Sequence, residues 1–121
     1  MSNSNWFHRL AIAVAGALGA TGVIAAAGAT HSGDQALLGP LSLIALTQAP
    51  ALLALGLLAT GGIFYCLATG AIGLGAIVFS ADLAVRHFTG HALFPLSAPI
   101  GGTAMIIGWA LLVPAAFTLR R

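Results

Sequence analysis

Five ionisable side chains are the residues of this sequence in which chemistry is first sought. Asp82 and Arg86 are four positions apart, the spacing at which two side chains meet on one face of a helix. His87 follows directly, and His31 and Asp34 lie close together earlier in the chain. Because carboxylates, imidazoles and guanidinium groups can exchange protons, bind metals or form ion pairs, we take these five residues as a candidate polar cluster.

Metal binding is one chemistry that such residues allow, since two histidines and a carboxylate are ligand types for divalent ions. His87 and His91 have helical spacing beside Asp82, although a helix can end at Gly90, before His91. The chain holds no strict ligand motif. We therefore favour a simple ion pair between Asp82 and Arg86 near a helix end, with hydrated histidines. We predict no catalytic, cofactor-binding or metal-binding residue.

The composition identifies lipid as the solvent of this chain. Of its 121 residues, 60% are hydrophobic and 5% are charged, whereas soluble domains carry about 25% charged residues. A surface so poor in charge cannot be hydrated, so we expect membrane lipids around most of it. The net charge of +2 comes from scattered arginines and is too small for a nucleic-acid partner. The lone Cys66 allows no disulfide within the chain.

Four apolar segments are long enough to cross a bilayer, which takes about 20 residues in a helix. We place them at about residues 10–30, 41–59, 63–82 and 99–118. The uncharged run from 35 to 81 is too long for one span, so we expect it to turn back at the glycine pair 61–62. Pro99 suits the first turn of the fourth helix. Since backbone groups in lipid must pair internally, we predict an all-α, integral membrane four-helix bundle that forms one domain over residues 1–121.

The first apolar segment has a rival interpretation as a secretory signal peptide, with Arg9 as its charged region and residues 25–27 as its cleavage site. Its apolar stretch exceeds the roughly 7–15 residues usual for a signal core, so we expect a retained helix. Arginine placement sets the orientation of the spans. An even number of spans puts both termini on one side with Arg9, Arg120 and Arg121, opposite Arg86. We therefore predict both termini in the cytoplasm.

Small residues recur at four-residue spacing along the apolar segments. In lipid, helices associate by close approach at such residues, because burying apolar side chains there brings no gain. The first span carries Ala11, Ala15 and Gly19 on one face. We predict helix contacts at five of the 16 glycines and at one tryptophan: Gly19, Gly75, Gly101, Gly102, Gly108 and Trp109. Pro50 and Pro114 fall inside the spans, where we expect kinks and not helix ends.

Four segments carry a resemblance to a known family. Gly28–His31 is similar to a glycine-alanine-histidine signature with one inserted threonine, and Phe79–Asp82 is similar to the end of a third helix. Pro99–Gly102 and Gly108–Leu111 are similar to a proline, a hydrophobic residue and two glycines that lead to a glycine-tryptophan pair. In these segments the chain resembles the YgdD-like family of small four-helix membrane proteins, a domain of unknown function.

The resemblance implies a multi-pass protein of the bacterial inner (plasma) membrane, and it implies no reaction. Family members usually have aromatic and histidine residues at the entry to the second helix, where this chain has Thr47–Pro50. Any family role that depends on that histidine is therefore not expected in this chain.

Our leading functional hypothesis is a non-catalytic membrane protein that packs as a small accessory or stabilising subunit of a larger membrane complex, for example a respiratory one. Its partners would be other integral membrane subunits, recognised through small-residue helix faces. The alternative is a small transporter or channel-like homo-oligomer, which needs a polar path through the bilayer. The polar residues in the spans offer only a thin path: Thr47, Gln48, Thr60 and Ser80. That alternative gains if Gln48 and Asp82 face one water-filled cavity.

A third hypothesis is a respiratory-chain anchor that helps to form a quinone or lipid pocket near His31, Asp82 and His87. Asp82 matters most to it, since an ionisable residue inside a membrane is a functional candidate, whereas one at the membrane surface is ordinary. The depth of Asp82 along its helix therefore bears on both alternatives.

Overall fold

The computed structural model describes residues 3–58 and 62–119, and its regular elements are four α-helices. In chain order they are α1 (Asn3–Ser32), α2 (Gln35–Leu58), α3 (Ile63–Thr89) and α4 (Ser97–Ala116). Each helix is long and apolar enough to cross a membrane. The predicted all-α, four-helix class is confirmed over these residues.

Several helix ends differ from the ends of the apolar segments, because polar residues can continue a helix that an apolar run only marks. α1 begins at Asn3 and α2 at Gln35, both ahead of the predicted spans. α4 ends at Ala116, slightly before the predicted end. Pro50 and Pro114 lie inside α2 and α4 and do not end them, as expected for prolines whose freed backbone groups are accommodated by neighbours.

α3 is longer at its C-terminal end than its apolar run, and it continues through the charged residues to Thr89. Gly90 then adopts the left-handed conformation, with φ of 79°, and gives its backbone N–H to the carbonyl of Arg86. Glycine is the residue that takes this conformation without steric cost, so it ends the helix there. The predicted turn at residues 61–62 lies partly outside the described residues, and Gly62 precedes α3 with extended backbone.

The four helices form two hairpins that meet through their inner members. α1 packs along α2, and α3 packs along α4, while α2 and α3 join the hairpins. α1 also touches α3 lightly. Among residues 3–58 and 62–119, α4 makes no close backbone approach to α1 or to α2. A gap is therefore left between α2 and α4, over the surface of α3.

The core between the helices consists mainly of alanine and leucine. Ala45 and Ala76 have no exposed surface, and neither has Ile72. Leu41 and Leu52 are, with Ile72, among the largest side chains that are almost completely buried. Small side chains at most core positions let the helix axes come close, which is how helices associate where apolar burial brings no gain.

A close approach of two helix backbones lies between Gly75 on α3 and Gly101 on α4. A Cβ atom built on Gly75 would lie 2.6 Å from the carbonyl oxygen of Gly101, and one on Gly101 would lie 2.8 Å from the carbonyl oxygen of Gly75. Further along the same pair of helices, a Cβ atom on Gly108 would lie 2.7 Å from Cγ1 of Ile72. These three glycines therefore let α4 lie directly against the backbone of α3.

Two other glycines that were predicted to make contacts behave differently. A Cβ atom built on Gly19 would lie 3.8 Å from Cβ of Ala49, an ordinary contact distance, and the tight approaches of α1 to α2 are at Gly22 and Gly56 instead. Gly102 does not pack against a helix, since a Cβ atom there would meet nothing within 4 Å. The prediction for Gly102 differs from the structure because it is one residue after Gly101, and adjacent helical residues point in directions about 100° apart.

Gly75→Ala is expected to destabilise the protein, because its methyl group would collide with the backbone of α4 and not with a flexible side chain. Overpacking of this kind typically costs about 1–3 kcal/mol of unfolding free energy. Gly102→Ala is the matched control, since it adds the same methyl group to open space. It should be neutral or stabilise the helix by up to about 1 kcal/mol. Unfolding in mixed detergent micelles measures both, and equal losses would contradict the close approach of α3 and α4.

Candidate functional site

Asp82 is a buried carboxylate at the point where α3, the α3–α4 loop and the start of α4 meet. Its side chain has no exposed surface. The Oδ2 atom accepts a hydrogen bond from Nε of Arg86 at 2.8 Å, which is the ion pair that the spacing predicts. The Oδ1 atom accepts bonds from the backbone N–H of Leu93 at 2.9 Å and from the hydroxyl of Ser97 at 2.5 Å. Both carboxylate oxygens are therefore occupied.

These bonds hold the loop that leads into α4. The loop turns at Leu96, whose φ of 65° lies in the left-handed region that is uncommon for a side chain of this size. Such strain persists where surrounding contacts fix the backbone. Next to it, Ser97 gives its backbone N–H to the carbonyl of Phe94 and its hydroxyl to Asp82. The carboxylate also lies at the N-terminal end of α4, where the helix dipole favours a negative charge.

A second pair joins the same end of the bundle to the first hairpin. Asp34 lies in the short turn between α1 and α2, after Gly33, whose φ is 78°. Its Oδ2 atom is 2.6 Å from Nδ1 of His87 near the end of α3. The two side chains are 30% and 23% exposed, so this pair is much more open to its surroundings than the carboxylate of Asp82.

The predicted polar cluster is thus present as two separate pairs and one isolated residue. Asp82 with Arg86, and Asp34 with His87, lie at one end of the bundle. His31 is exposed in the last turn of α1 and does not join either pair. No group of three His, Cys, Asp or Glu side chains is placed to hold a metal ion within the part of the chain that the structure describes.

Asp82 lies in the C-terminal part of α3, seven residues before Thr89. About 20 residues of helix, at about 1.5 Å per residue, cover the roughly 30 Å of a bilayer core. Counted from Ile63, that length ends at Asp82. Arg86 and His87 follow and would lie at the level of the headgroups. Asp82 is buried by the surrounding protein, and its hydrogen bonds join α3 to the α3–α4 loop and to the start of α4.

A third polar contact lies in the middle of the bundle and joins α2 to α4. The indole Nε1–H of Trp109 donates a hydrogen bond to Oε1 of Gln48 at 2.8 Å. Gln48 is 8% exposed and also donates from Nε2 to the hydroxyl of Thr47 at 3.1 Å. A buried indole N–H usually has a hydrogen-bond partner, and the sequence does not identify Gln48 as that partner, since it is 61 positions away.

Comparison with known protein families, curated proteins and solved structures finds no match to this chain. The resemblance to the YgdD-like family therefore stays a prediction that rests on the four sequence segments alone. The function is therefore inferred from the geometry of the described residues.

Asp82→Ala is expected to destabilise the protein much more than Asp34→Ala. The first change leaves the buried hydroxyl of Ser97 and the backbone N–H of Leu93 without their acceptor, and a buried donor left unpaired costs about 1–3 kcal/mol. The second breaks a partly exposed pair, for which about 1 kcal/mol or less is typical. Thermal unfolding followed by circular dichroism measures both. Equal effects would show that the bonds of Asp82 do not hold the α3–α4 connection.

Proposed function

We propose that the chain is a non-catalytic integral membrane protein that acts by packing, as a small accessory or stabilising subunit of a larger membrane complex. In this proposal it crosses the bacterial inner membrane four times and has both termini in the cytoplasm. Its partners are membrane lipids and other integral membrane subunits, and recognition takes place within the bilayer.

The observation that carries the proposal is the outer face of α1. The inner face of this helix is buried on α2, at Ala11, Ala15, Ala25 and Ala29. The opposite face exposes small residues over its first half, at Ala13, Gly16, Ala17 and Ala20, and the larger Val23 and Ile24 follow them. A Cβ atom on Gly16 would meet nothing within 4 Å. Because small residues at such spacing let another helix come close, this face fits a partner helix better than it fits disordered lipid tails.

The placement of the charged side chains supports the same proposal. Asp34, Asp82 and Arg86 lie at one end of the bundle and are engaged in pairs. Arg9 lies near the start of α1, at the other end. In the described residues the middle of each helix therefore carries no acid or base, as expected for a protein whose spans serve packing and not charge movement.

The transporter alternative receives less support from the positions of the polar residues. Gln48 borders a groove between α2 and α4, and Asp82 is not among the residues that line it. The hydroxyl of Thr47 donates to carbonyl groups of its own helix. Ser80 is buried, and Thr60 lies outside the described residues. Of the described polar residues, Gln48 lines this groove, whereas Thr47, Ser80 and Asp82 do not.

The respiratory-anchor alternative is weakened in the same way. His87 borders a cavity of about 190 Å³ between α1, α2 and α3, whereas small-molecule sites usually have about 300–1,000 Å³. Neither His31 nor Asp82 lines this cavity. A quinone or lipid pocket built from the three residues together therefore has little geometric basis.

The test is native gel electrophoresis after extraction from the native membrane in mild detergent. We expect the wild-type chain to migrate with a large complex, and Gly16→Leu to migrate as the free chain, because the added side chain would hold a partner helix away from α1. Gly70→Leu is the matched control, since its Cβ position on α3 also meets nothing within 4 Å. It should keep the complex.

Migration of the wild-type chain as a monomer or a small homo-oligomer would overturn the accessory-subunit proposal. Co-migration that survives in Gly16→Leu would keep the subunit role and remove α1 as the docking helix. Helical content by circular dichroism, equal in all three proteins, separates a lost contact from a lost fold.

A further inference from the structure

The gap between α2 and α4 is a groove with a polar contact across its middle. Its volume is about 430 Å³. α2 contributes Ile44 and Gln48 to its lining, α3 contributes Phe79, and α4 contributes the remaining residues: Gly102, Met105, Ile106 and Trp109. Within the described part of the chain, α2 and α4 make no close backbone approach there, and the bond between Trp109 and Gln48 joins the two walls. Apolar and aromatic walls with one polar side chain are the usual make-up of a small-molecule site.

The amide of Gln48 has hydrogen-bonding capacity left over inside this groove. Its oxygen accepts from Trp109, and one N–H of Nε2 donates to the hydroxyl of Thr47. A side-chain amide carries two N–H groups, so one donor is not used by these contacts. Gln48 is more than nine-tenths buried, and a donor left unsatisfied in apolar surroundings is costly. The complementary group is a hydrogen-bond acceptor without charge, such as a carbonyl oxygen.

The depth of Gln48 in the membrane limits which kinds of molecule can place such an acceptor beside it. Gln48 is 13 residues after Gln35 and 10 before Leu58, which places it about 20 Å and about 15 Å from the two ends of α2. In a bilayer core of roughly 30 Å it would lie near the centre. The ester carbonyls of phospholipids lie at the surface of that core and do not reach this depth. Among small molecules, we therefore expect the acceptor on one that dissolves in the hydrocarbon itself.

The groove is too small to enclose a membrane helix. Two turns of helix with side chains are about 10 Å across and about 11 Å long, which is about 850 Å³. The groove holds about half of that. Its aromatic walls, Phe79 and Trp109, suit a flat ring, because offset and edge-to-face contacts between rings are favourable.

We propose that the groove between α2 and α4 binds a neutral, membrane-soluble ring compound that bears a carbonyl group, of the alkylated quinone type. The ring lies against Trp109 and Phe79, and the carbonyl oxygen accepts the remaining N–H of Gln48. This inference goes beyond the accessory-subunit role and does not depend on it, since it concerns the isolated chain.

The experiment measures binding to the purified full chain in phosphatidylcholine nanodiscs, as the excess over empty nanodiscs. The probe is 2-decyl-1,4-benzoquinone, and the matched control compound is decylbenzene, which has the ring and the chain but no acceptor. We expect saturable binding of one benzoquinone per chain and at least tenfold weaker binding of decylbenzene. Gln48→Leu should weaken benzoquinone binding about tenfold, the change that one hydrogen bond typically contributes. It should leave decylbenzene binding unchanged.

A second variant tests whether the groove is the binding site, without removing the hydrogen bond that Gln48 would donate. Gly102→Leu fills the groove, and the structure has room for it because a Cβ atom there meets nothing within 4 Å. It should lower benzoquinone binding at least tenfold, whereas Gly70→Leu, which adds the same side chain on α3, should not change it. Equal binding of decylbenzene and benzoquinone would identify an acyl-chain groove and overturn the proposal. Absence of saturable binding, or normal binding in Gly102→Leu, would overturn it as well.

Discussion

The contact between the backbones of α3 and α4 is the constraint on which the rest of this structure depends. Where the surroundings are as apolar as the side chains, helices are held by van der Waals contact, which falls off steeply with distance. The paired glycines Gly75 and Gly101 remove the side chains that would keep the two backbones apart. α4 lies against α3 and not against α2, and the groove lies between α2 and α4.

The polar contacts hold together parts of the structure that the close packing of helix backbones does not hold. Asp82 accepts two hydrogen bonds, from Leu93 and Ser97, that fix the course of the loop before α4, and a third from Arg86 within α3. The bond between Gln48 and Trp109 has a similar role at mid-height, because it joins two helices whose backbones do not approach each other in the described chain. Each of these contacts joins parts of the chain that small-residue packing does not join. Packing and hydrogen bonding therefore stabilise different parts of the structure.

The sequence was sufficient for features that lie within one helix and insufficient for features that depend on how helices face each other. Length and hydropathy predict four helices, and the spacing of Asp82 and Arg86 predicts their ion pair, because both follow from the geometry of a single helix. The pairing of Asp34 with His87 across 53 positions depends on the rotation of α3 relative to the first hairpin. The residue pattern of one helix does not show how that helix is rotated relative to its neighbours. For the same reason Gly101 and Gly102 looked alike in sequence although only Gly101 meets a neighbouring helix.

The division into two hairpins has a consequence for how the protein is made. α1 finds nearly all its contacts on α2, and α4 finds its contacts on α3, so each hairpin contains its own partners within a short stretch of chain. As the ribosome releases the chain, the first hairpin can assemble before the second has been synthesised. Only the meeting of α2 and α3 must wait until both are in place. The order of synthesis and the order of assembly therefore coincide, and no helix has to remain unpaired until the end of translation.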